Sequence, residues 1–450
     1  MKILLLSGGS GKRLWPLSNR VRSKQFLKML RTDEGEPESM IQRVCRQLDS
    51  VGLLSSTHIV TCQSQTEIIK RQIGDEIPII CEPDQRGTFP SISLAITYLH
   101  SNLQVDPNEI ICVLPVDSFV DLPFYQLLYK VPDILDISQS DLALLGVVSK
   151  VPSDQYGYIV PMVNSEGSFY HVLQFLEKPN LNKAKILTNQ NALWNCGVFA
   201  FPLKFMLFYL ENKGLPTIYD EMLSIYDQLP NIGFDYEVVE KSNHSVVIPY
   251  NGVWKDLGNW NEFSEHLDNP IIGSGSIEDS RNTNIINELS LPIHVIGVSD
   301  SIVVAGPDGI LISNKKKSSK IKQMIKTNQL MYEEKRWGNY RVLDRSVTEE
   351  GTQTVIKMVN VLAGQNLSYQ KHNFRQEIWT VISGTGEFIL NDKLFTIKAG
   401  DVLQIPLGAK HGVKALTPLK ILETQLGDRI EEEDIIRFTF SWKEAVEGCK

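Results

Sequence analysis

The sequence predicts an α/β protein with a Rossmann-like, mostly parallel sheet in its N-terminal part and strands throughout its C-terminal part. Short apolar runs alternate with amphipathic helical segments up to about residue 265, which is typical of parallel strands joined by helices. After residue 269, short β-rich runs follow one another, separated by turns such as Pro307-Asp308-Gly309. A chain of 450 residues is too long for one hydrophobic core, so we expect two or three domains.

The composition is that of a soluble globular protein, with 42% hydrophobic and 22% charged residues. No stretch approaches the roughly 18 consecutive apolar residues of a membrane span, and the first apolar run is too short for a signal peptide. A net charge of −8 gives no support to nucleic-acid binding. The six dispersed cysteines indicate reduced core residues. We therefore expect a cytoplasmic protein that binds neither nucleic acid nor membranes, and we expect a homo-oligomer.

The first predicted strand leads into a loop that contains Gly8, Gly9 and Gly11. Glycines allow the backbone of such a loop to approach a ligand closely. Its exposed N–H groups, with Arg13 and Lys24 nearby, form an anion site. A glycine-rich turn without a ligand is the alternative, and the two flanking cations argue against it.

The spacing of this loop excludes both common phosphate-binding motifs. A P-loop needs a glycine five residues before the Gly-Lys pair, where the chain has Leu6, and a Ser or Thr after it, where the chain has Arg13. A dinucleotide-binding fingerprint that starts at Gly9 needs a further glycine at the position of Leu14. The predicted anion site must therefore belong to another kind of loop.

The loop resembles the signature of the sugar-nucleotide pyrophosphorylases through the residues Gly8-Gly9-x-Gly11-x-Arg13-Leu14-Trp15-Pro16-Leu17-Ser18 and Lys24-Gln25-Phe26. The Trp-Pro-Leu-Ser and Lys-Gln-Phe details are similar to those of the mannose-1-phosphate guanylyltransferases, in particular the long bacterial type with a C-terminal cupin, the mannose-6-phosphate isomerase type II family. This resemblance implies that the three glycines bind the nucleotide. It also implies that Arg13 and Lys24 are catalytic.

A second nucleotide-binding element is implied at residues 82–90, which resemble the family's Glu-Pro-x-x-Arg-x-Thr-x-Pro loop near the base. The resemblance assigns nucleotide binding to Glu82, Arg86 and Thr88. A polar turn that caps the next predicted helix is the weaker alternative for these residues.

Two aspartates are implied as ligands of Mg²⁺. Asp117 follows a predicted strand, and ligands of open α/β sheets gather at the carboxyl ends of the strands. A single aspartate there is more often a helix cap or turn residue. The resemblance implies that Asp117 and Asp256 both bind the metal, which takes its other ligands from phosphates and water. Ser118 stands where the family has histidine, so a role for that histidine is in doubt.

Three later segments resemble the family's sugar-recognition elements and occur in the right order. The resemblance implies that Gly157 lets the backbone meet the sugar and that Glu177 and Asn195 hydrogen-bond its hydroxyl groups. It places Lys178 against the sugar phosphate. Each segment alone is equally readable as a structural turn, so the interpretation depends on their co-occurrence.

The C-terminal sequence resembles the two cupin motifs, with Gln370 in the place of the first histidine. A jelly-roll barrel would bring Gln370, His372, Glu377 and His411 into one pocket. These side chains form a mixed N/O set compatible with Zn²⁺, Fe²⁺, Mn²⁺ or Co²⁺. A metal-free cupin is the alternative.

We therefore predict a nucleotidyltransferase domain (1–268), a small β-rich connector that the resemblance suggests is β-helical (269–332), and a cupin domain (333–450). The resemblance implies transfer of GMP from GTP to mannose 1-phosphate, which gives GDP-mannose and pyrophosphate and uses Mg²⁺. Mannose-6-phosphate isomerase activity stays open, because the cupin lacks histidines and a Tyr-Gly-Arg element that bifunctional relatives have.

Two alternative functions remain. Lys12, Ser23 and Cys196 depart from the residues usual in the family, which makes another sugar 1-phosphate or nucleoside triphosphate credible. A catalytically silent sugar-nucleotide-binding regulator is the second alternative, and the retained catalytic and metal-binding residues argue against it.

Overall fold

The computed structural model describes residues 1–9, 12–149, 151–162, 167–267, 269–325, 331–431 and 433–449. The chain forms two compact units. The first unit contains residues 1–14, 23–269 and 315–319, and the second contains residues 15–22, 270–314 and 320–450. Gly11, one of the predicted nucleotide-binding residues, lies outside the described residues.

The first unit combines strands and helices in alternation, as predicted. Its strands are β1 Lys2–Leu6, β2 Leu30–Arg31, β3 Pro37–Glu38, β4 Thr57–Cys62, β5 Ile79–Glu82, β6 Ile110–Pro115, β7 Ser118–Val120, β8 Leu142–Val148, β9 Tyr158–Pro161, β10 Tyr170–Leu176, β11 Leu193–Pro202, β12 Ser245–Tyr250 and β13 Trp254–Asp256. Its helices are α1 Met40–Ser50, α2 Thr66–Ile73, α3 Thr88–Ser101, α4 Leu122–Gln126, α5 Val131–Ser138, α6 Leu181–Asn189, α7 Leu203–Asn212, α8 Tyr219–Ser224, α9 Phe234–Glu237 and α10 Trp260–Ser264.

A nine-stranded sheet with the order β5-β4-β1-β6-β11-β8-β12-β10-β9 organises this unit. The strands from β5 to β6 are all parallel, so their carboxyl ends lie along one edge. β8 and β12 are also parallel, whereas β11 runs antiparallel to both its neighbours β6 and β8. The predicted α/β class is confirmed, and the sheet as a whole is mixed.

The first strand shows why this sheet lies between two layers of helices. Ile3, Leu4 and Leu5 are fully buried. Ile3 and Leu5 pack in one core cluster with Ile41 of α1, and Leu4 packs in another with Ile92 of α3. A strand buried on both faces has a continuous apolar run instead of an alternating one, which is the pattern that the sequence shows. The loop after this strand therefore begins at a rigid position.

From residue 270 onward, the second unit starts with a small stack of mostly parallel strands. Its first elements are β14 Ile271–Ile272, β15 Gly275–Glu278, β16 Asn284–Asn287, β17 Ile293–Ile296, β18 Ser301–Gly306, β19 Gly309–Asn314 and α11 Ile321–Met324. β14, β16 and β18 pair in parallel, as do β15 and β17. Side chains 18 residues apart bond to one another, as in Asn282 to Asp300 at 2.8 Å. This coiling of the chain confirms the predicted β-helical character.

The rest of the second unit is a two-sheet barrel of the cupin type. Its elements are β20 Tyr332–Lys335, β21 Gly338–Val347, β22 Gln353–Val361, β23 Tyr369–Lys371, β24 Arg375–Ser383, β25 Thr385–Leu390, β26 Lys393–Lys398, β27 Val402–Ile405, β28 His411–Ala415, β29 Leu419–Gly427, β30 Ile436–Thr439 and α12 Trp442–Glu447. The sheets have the orders β20-β21-β22-β29-β24-β27 and β26-β25-β28-β23-β30. Trp379 and Phe388 are buried in the core between them.

None of the described helices has the length and apolar character needed to cross a membrane. All six cysteines are free thiols.

Candidate active site

The glycine loop begins at the carboxyl edge of the parallel strands and is held by three side chains. The carbonyl oxygen of Gly9 accepts hydrogen bonds from Ser23 Oγ at 2.7 Å, from Gln65 Nε2 at 3.3 Å and from Gln85 Nε2 at 3.3 Å. Gln65 Nε2 also donates to Ser23 Oγ at 2.7 Å. Ser23, which the sequence marks only as a departure from the family, therefore helps to fix the loop.

A cavity of about 210 Å³ lies beside this loop. Its lining comes from the ends of β1, β4 and β5 and from the start of α3. The lining residues are Leu6, Gly8, Gly9, Val60, Glu82, Gln85, Gly87, Thr88 and Ser91. The cavity thus brings Gly8 and Gly9 of the glycine loop together with Glu82 and Thr88. Glu82 and Thr88 are two of the three residues predicted to bind the nucleotide in the second element.

Glu82 supplies the buried charge of this cavity. Its Oε2 accepts hydrogen bonds from Tyr226 at 2.6 Å and from Ser91. Its Oε1 lies 3.2 Å from the position that a Cβ atom on Gly8 would take, so that oxygen faces the loop. Burial raises the pKa of Glu82, and the two hydroxyl donors oppose this rise. A carboxylate fixed on one oxygen can accept hydrogen bonds from a ligand on the other.

Arg86 does not line the cavity. Its Nη1 donates to the carbonyl oxygen of Leu229 at 2.7 Å. Thr88 Oγ1 accepts the backbone N–H of Phe234 at 2.8 Å, so both side chains tie this loop to residues 229–234. The contact observed for Arg86 is therefore a structural one.

Lys24, Asp117 and Asp256 converge although they are far apart in the sequence. Asp117 follows β6, and the antiparallel pairing of β13 with β7 sets Asp256 opposite Ser118. Lys24 Nζ lies 2.7 Å from Asp117 Oδ2 and 3.2 Å from Asp256 Oδ1. The two predicted metal ligands and one predicted catalytic residue therefore form a single cluster.

The charges in this cluster stabilise one another. Burial opposes the charge of Lys24, but Asp117 and Asp256 outweigh it and raise the pKa of the ammonium group to about 12. Burial likewise opposes the charge of Asp117, and Lys24 holds the pKa of that carboxyl below its ordinary value. The positive charge of the exposed Arg13 acts in the same direction on the pKa of Asp117.

The donor set of the cluster fits Mg²⁺. Two carboxylates already share one cation, the Lys24 ammonium group, and carboxylate oxygens are the ligands that Mg²⁺ prefers in proteins. A Cβ atom at Gly258 would lie 3.0 Å from Asp256 Oδ2, so a larger residue there would press on this carboxylate.

A further carboxylate, Glu262, was not predicted. Its Oε2 accepts the N–H of Gly258 at 3.1 Å. Burial and then the charge of Asp256 raise the pKa of Glu262. In the sequence, only its position four residues after Gly258 indicates that Glu262 lies near this cluster.

The residues predicted to bind the sugar also lie together. Asn195 donates its backbone N–H to the carbonyl oxygen of Gly157 at 2.9 Å. A Cβ atom on Gly157 would lie 2.4 Å from Glu177 Oε2, so a larger residue there would displace this carboxylate. Lys178 Nζ bonds to Glu177 Oε1. The backbone of Lys178 is left-handed, with a φ of 44°, which costs of the order of 1 kcal/mol for a residue other than glycine.

In the cupin barrel, His372, Glu377 and His411 are buried, with ligand atoms all within 4.8 Å of one another. His372 Nδ1 lies 2.6 Å from the carbonyl oxygen of Asp434, and His411 Nδ1 lies 3.0 Å from that of Ala409. Because carbonyl oxygens only accept, the Nδ1 atoms carry the protons and the Nε2 lone pairs face the cluster.

The electrostatics of this cluster also suit a metal ion. Burial lowers the pKa of His372 to about 4 and lowers that of His411 as well, so both rings are neutral near pH 7. His411 Nε2 is buried and has no hydrogen-bond partner among the described residues. Such an atom costs free energy unless a ligand satisfies it.

Arg375 and Gln370 are neighbours of the cupin cluster. Arg375 Nε donates to Glu377 Oε1 at 3.0 Å, so this carboxylate already has a buried cationic partner. Gln370 lies opposite His411 in the β23–β28 pairing, and its Oε1 accepts a hydrogen bond from Ser368 Oγ at 2.7 Å. Arg375 Nη2 also lies 3.4 Å from His372 Nε2, so His411 Nε2 is the one of the three ligand atoms that has no hydrogen-bond partner among the described residues, and Gln370 is adjacent to the cluster.

Residues 2–269 match the nucleotidyl transferase family, and residues 321–440 match the mannose-6-phosphate isomerase C-terminal family. The chain is 31% identical to the alginate biosynthesis protein AlgA of Pseudomonas putida, over 97% of this chain and 95% of that protein. It is 29% identical to a mannose-1-phosphate guanylyltransferase of Klebsiella pneumoniae, over 96% of this chain and 98% of that protein.

A solved structure is also similar. The crystal structure of a mannose-1-phosphate geranyltransferase from Thermus thermophilus is 26% identical, with a TM-score of 0.60, and the match covers 72% of this chain and 97% of that chain. The chain therefore belongs to the nucleotidyl transferase family, among the mannose-1-phosphate guanylyltransferases that carry a C-terminal mannose-6-phosphate isomerase domain.

Proposed function

We propose that this protein transfers GMP from GTP to mannose 1-phosphate and releases GDP-mannose and pyrophosphate. The observation that carries the proposal is the convergence of Lys24, Asp117 and Asp256 beside a glycine loop with its own cavity. The names of the relatives support the choice of mannose 1-phosphate as the acceptor. We assign the transfer to residues 1–268, the connection to residues 269–332 and the cupin to residues 333–450.

In the proposed reaction, a phosphate oxygen of mannose 1-phosphate attacks the α-phosphorus of GTP. The bond from that phosphorus to the bridging oxygen breaks, and pyrophosphate leaves with its electron pair. This chemistry depends on positioning and on charge neutralisation. Gly8, Gly9 and Gly11 would hold the triphosphate, and Arg13 would stabilise the negative charge that grows on it. Lys24 would draw the two reacting phosphates together.

Mg²⁺ would be held by Asp117 and Asp256, where it would neutralise phosphate charge and orient the phosphates. The cavity would hold the base, with Glu82 and Thr88 in its lining. Arg86 would contribute to nucleotide binding by holding its loop in place, because its guanidinium group donates to the backbone carbonyl oxygen of Leu229. Glu177 and Asn195 would bind hydroxyl groups of the sugar, and Lys178 its phosphate.

A substrate panel tests this proposal. Four nucleoside triphosphates are each paired with mannose 1-phosphate, glucose 1-phosphate and N-acetylglucosamine 1-phosphate, and pyrophosphate release is followed with Mg²⁺ and with EDTA. We expect turnover with GTP and mannose 1-phosphate to exceed that of every other pair, and to stop in EDTA. Faster turnover by another pair would favour the alternative substrate, whereas tight ligand binding without turnover would favour the silent regulator.

We further propose that the cupin binds a divalent transition metal through His372, Glu377 and His411, with Gln370 as a neighbouring fourth donor. The unsatisfied Nε2 atom of His411 supports this assignment. Mannose-6-phosphate isomerase activity is the second candidate function, and the same cluster favours it. The metal would act there as a Lewis acid on the sugar oxygens.

Metal content tests the cupin site. After incubation with Zn²⁺ and dialysis, we expect about one zinc ion per chain in the wild type and close to none in Glu377→Gln, because an amide lacks the charge of the ligand carboxylate. Glu349→Gln, at an exposed position, is the control. Equal zinc contents in the wild type and Glu377→Gln would contradict the site. Conversion of mannose 6-phosphate to its ketose isomer by the zinc-loaded wild type tests the isomerase activity separately.

The free thiols of all six cysteines fit a reducing compartment, so we propose a cytoplasmic location. Assembly as a homo-oligomer stays a prediction.

A further inference from the structure

Asp235 is a carboxylate that the sequence does not single out, and the fold places it among the residues proposed to bind the sugar. It lies in α9. Asn195 Nδ2 donates to Asp235 Oδ1 at 2.7 Å, while Asn195 Oδ1 accepts the N–H of Gly197 at 3.0 Å. With its backbone N–H on the Gly157 carbonyl oxygen, Asn195 is fixed from three sides. Asp235 is thereby held at a defined place against the side chain of Asn195, whose backbone bonds to Gly157.

A second carboxylate in this region, that of Glu177, has one oxygen atom without a hydrogen-bond partner among the described residues. The side chain of Glu177 is only 5% exposed. Its Oε1 bonds to Lys178, and its Oε2 has no hydrogen-bond partner among the described residues. Gly157 is the residue that this oxygen faces, since a Cβ atom there would come within 2.4 Å of it. A buried carboxylate oxygen without a donor is costly, so a ligand is expected to supply one.

The charge of Asp235 acts on Glu177. After burial, the charge of Asp235 is the largest cause that raises the pKa of Glu177, to about 7. Lys178 opposes this rise, and Glu240 adds to it. Glu240 also accepts the backbone N–H of Glu177 at 2.8 Å. The region therefore contains three carboxyl groups and one cation, and a ligand that donates hydrogen bonds would favour the ionised form of Glu177.

Hydroxyl groups are the donors that fit. Carboxylates only accept when ionised, and they repel a phosphate group. A hexose ring presents vicinal hydroxyl groups that can donate to two neighbouring carboxylates. We propose that Asp235 accepts a hydrogen bond from one hydroxyl group of the hexose, next to the one bound by Glu177, and so determines which hexose 1-phosphate is accepted. This inference rests on the proposed function for the identity of the sugar.

A purely structural role for Asp235 predicts something different. If it served only to hold Asn195, its loss would weaken the binding of every sugar phosphate by the same factor. If it binds a particular hydroxyl group, its loss should remove the penalty for deleting that group and leave the penalties for the others. The two roles can therefore be separated with deoxy analogues.

The experiment uses the full chain as wild type, Asp235→Asn and, as the matched control, Asp220→Asn at an exposed position. KM is measured for GTP, for mannose 1-phosphate and for its 2-, 3-, 4- and 6-deoxy analogues. In Asp235→Asn we expect KM for mannose 1-phosphate to rise about 10- to 100-fold, the range for a hydrogen bond to a charged group, with KM for GTP within about twofold.

The decisive comparison concerns one analogue. In the wild type, one deoxy analogue should show a penalty of about 10-fold or more, and in Asp235→Asn that penalty should shrink to less than about threefold. Equal penalties for all analogues in the two proteins would overturn the inference. If Asp235→Asn does not fold, the wild type alone still tests it, because equal KM values for all four analogues and the parent would overturn it.

Failure of the proposed function gives a different result. If the wild type forms no GDP-mannose, the same analogues are titrated by calorimetry without GTP. Dissociation constants that depend on one hydroxyl group in the wild type but not in Asp235→Asn would support the role of Asp235 without any turnover. Equal dependence in both proteins would overturn it.

Discussion

Changing either Asp117 or Asp256 to asparagine is expected to lower kcat for GDP-mannose formation by about 10³-fold, since loss of metal-assisted charge stabilisation is worth several kcal/mol. Both carboxylates contact one cation in the structure, at 2.7 Å and 3.2 Å from Lys24 Nζ. An amide oxygen keeps the shape of the ligand but lacks the negative charge. Initial rates at saturating substrates, over a titration of Mg²⁺, measure this effect.

The two substitutions should also be strongly non-additive. Because both carboxylates serve one centre, the double variant should be little slower than the slower single variant. Asp136→Asn, at an exposed position in α5, is the control and should keep wild-type rates. Single variants with wild-type kcat and an unchanged dependence on Mg²⁺ would contradict the assignment of this centre.

Changing Arg13 to alanine should lower kcat by about 10²- to 10³-fold, as removal of a single charge-stabilising donor does in other enzymes. The guanidinium group is exposed and acts on Asp117 through its charge. Because the side chain is exposed, its removal takes away no buried contact. We expect Arg13→Ala to unfold at the same temperature as the wild type, so the loss would be one of rate.

Arg13→Lys separates charge from shape. A lysine keeps the charge but cannot form two parallel hydrogen bonds to phosphate oxygens, so an intermediate rate is expected. Arg345→Ala, at an exposed position in β21, is the control. Near-wild-type pyrophosphate release by Arg13→Ala would show that the assignment of Arg13 is wrong.

The sequence predicts those parts of the site that are formed by residues close to one another in the chain. The apolar run of β1 followed by glycines predicts a buried strand and an anion-binding loop, and the strand is confirmed. The position of Asp117 after β6 also follows from local pattern. Its meeting with Asp256 depends on the pairing of β7 with β13, two three-residue strands with little sequence signal of their own.

Contacts that depend on tertiary packing could not be predicted. Asp235 and Glu262 lie on short helices whose sequence does not show which loops they face. Arg86 fits its motif in sequence, yet residues 229–234 pack against its loop and supply a carbonyl oxygen for its guanidinium group. The antiparallel direction of β11 could not be predicted either. A buried apolar strand has the same residue pattern whether it runs parallel or antiparallel to its neighbours.

Departures from a family pattern are also hard to interpret without the fold. Ser23 indicates altered specificity when it is seen only as a replacement in the motif. In the structure its hydroxyl group bonds to Gly9 and accepts from Gln65, so it supports the loop instead. Cys196 is buried, and burial raises the pKa of its thiol, so it behaves as a small core residue.

The most direct test of the account is the product formed by the purified full chain from GTP and mannose 1-phosphate, identified by mass spectrometry. With Mg²⁺ we expect GDP-mannose and pyrophosphate in equal amounts, and with EDTA or in Asp256→Asn we expect neither above background. Absence of GDP-mannose from the wild type in Mg²⁺, with both substrates saturating, would contradict the proposed function. Undiminished formation in EDTA would contradict the metal-dependent centre at Lys24, Asp117 and Asp256.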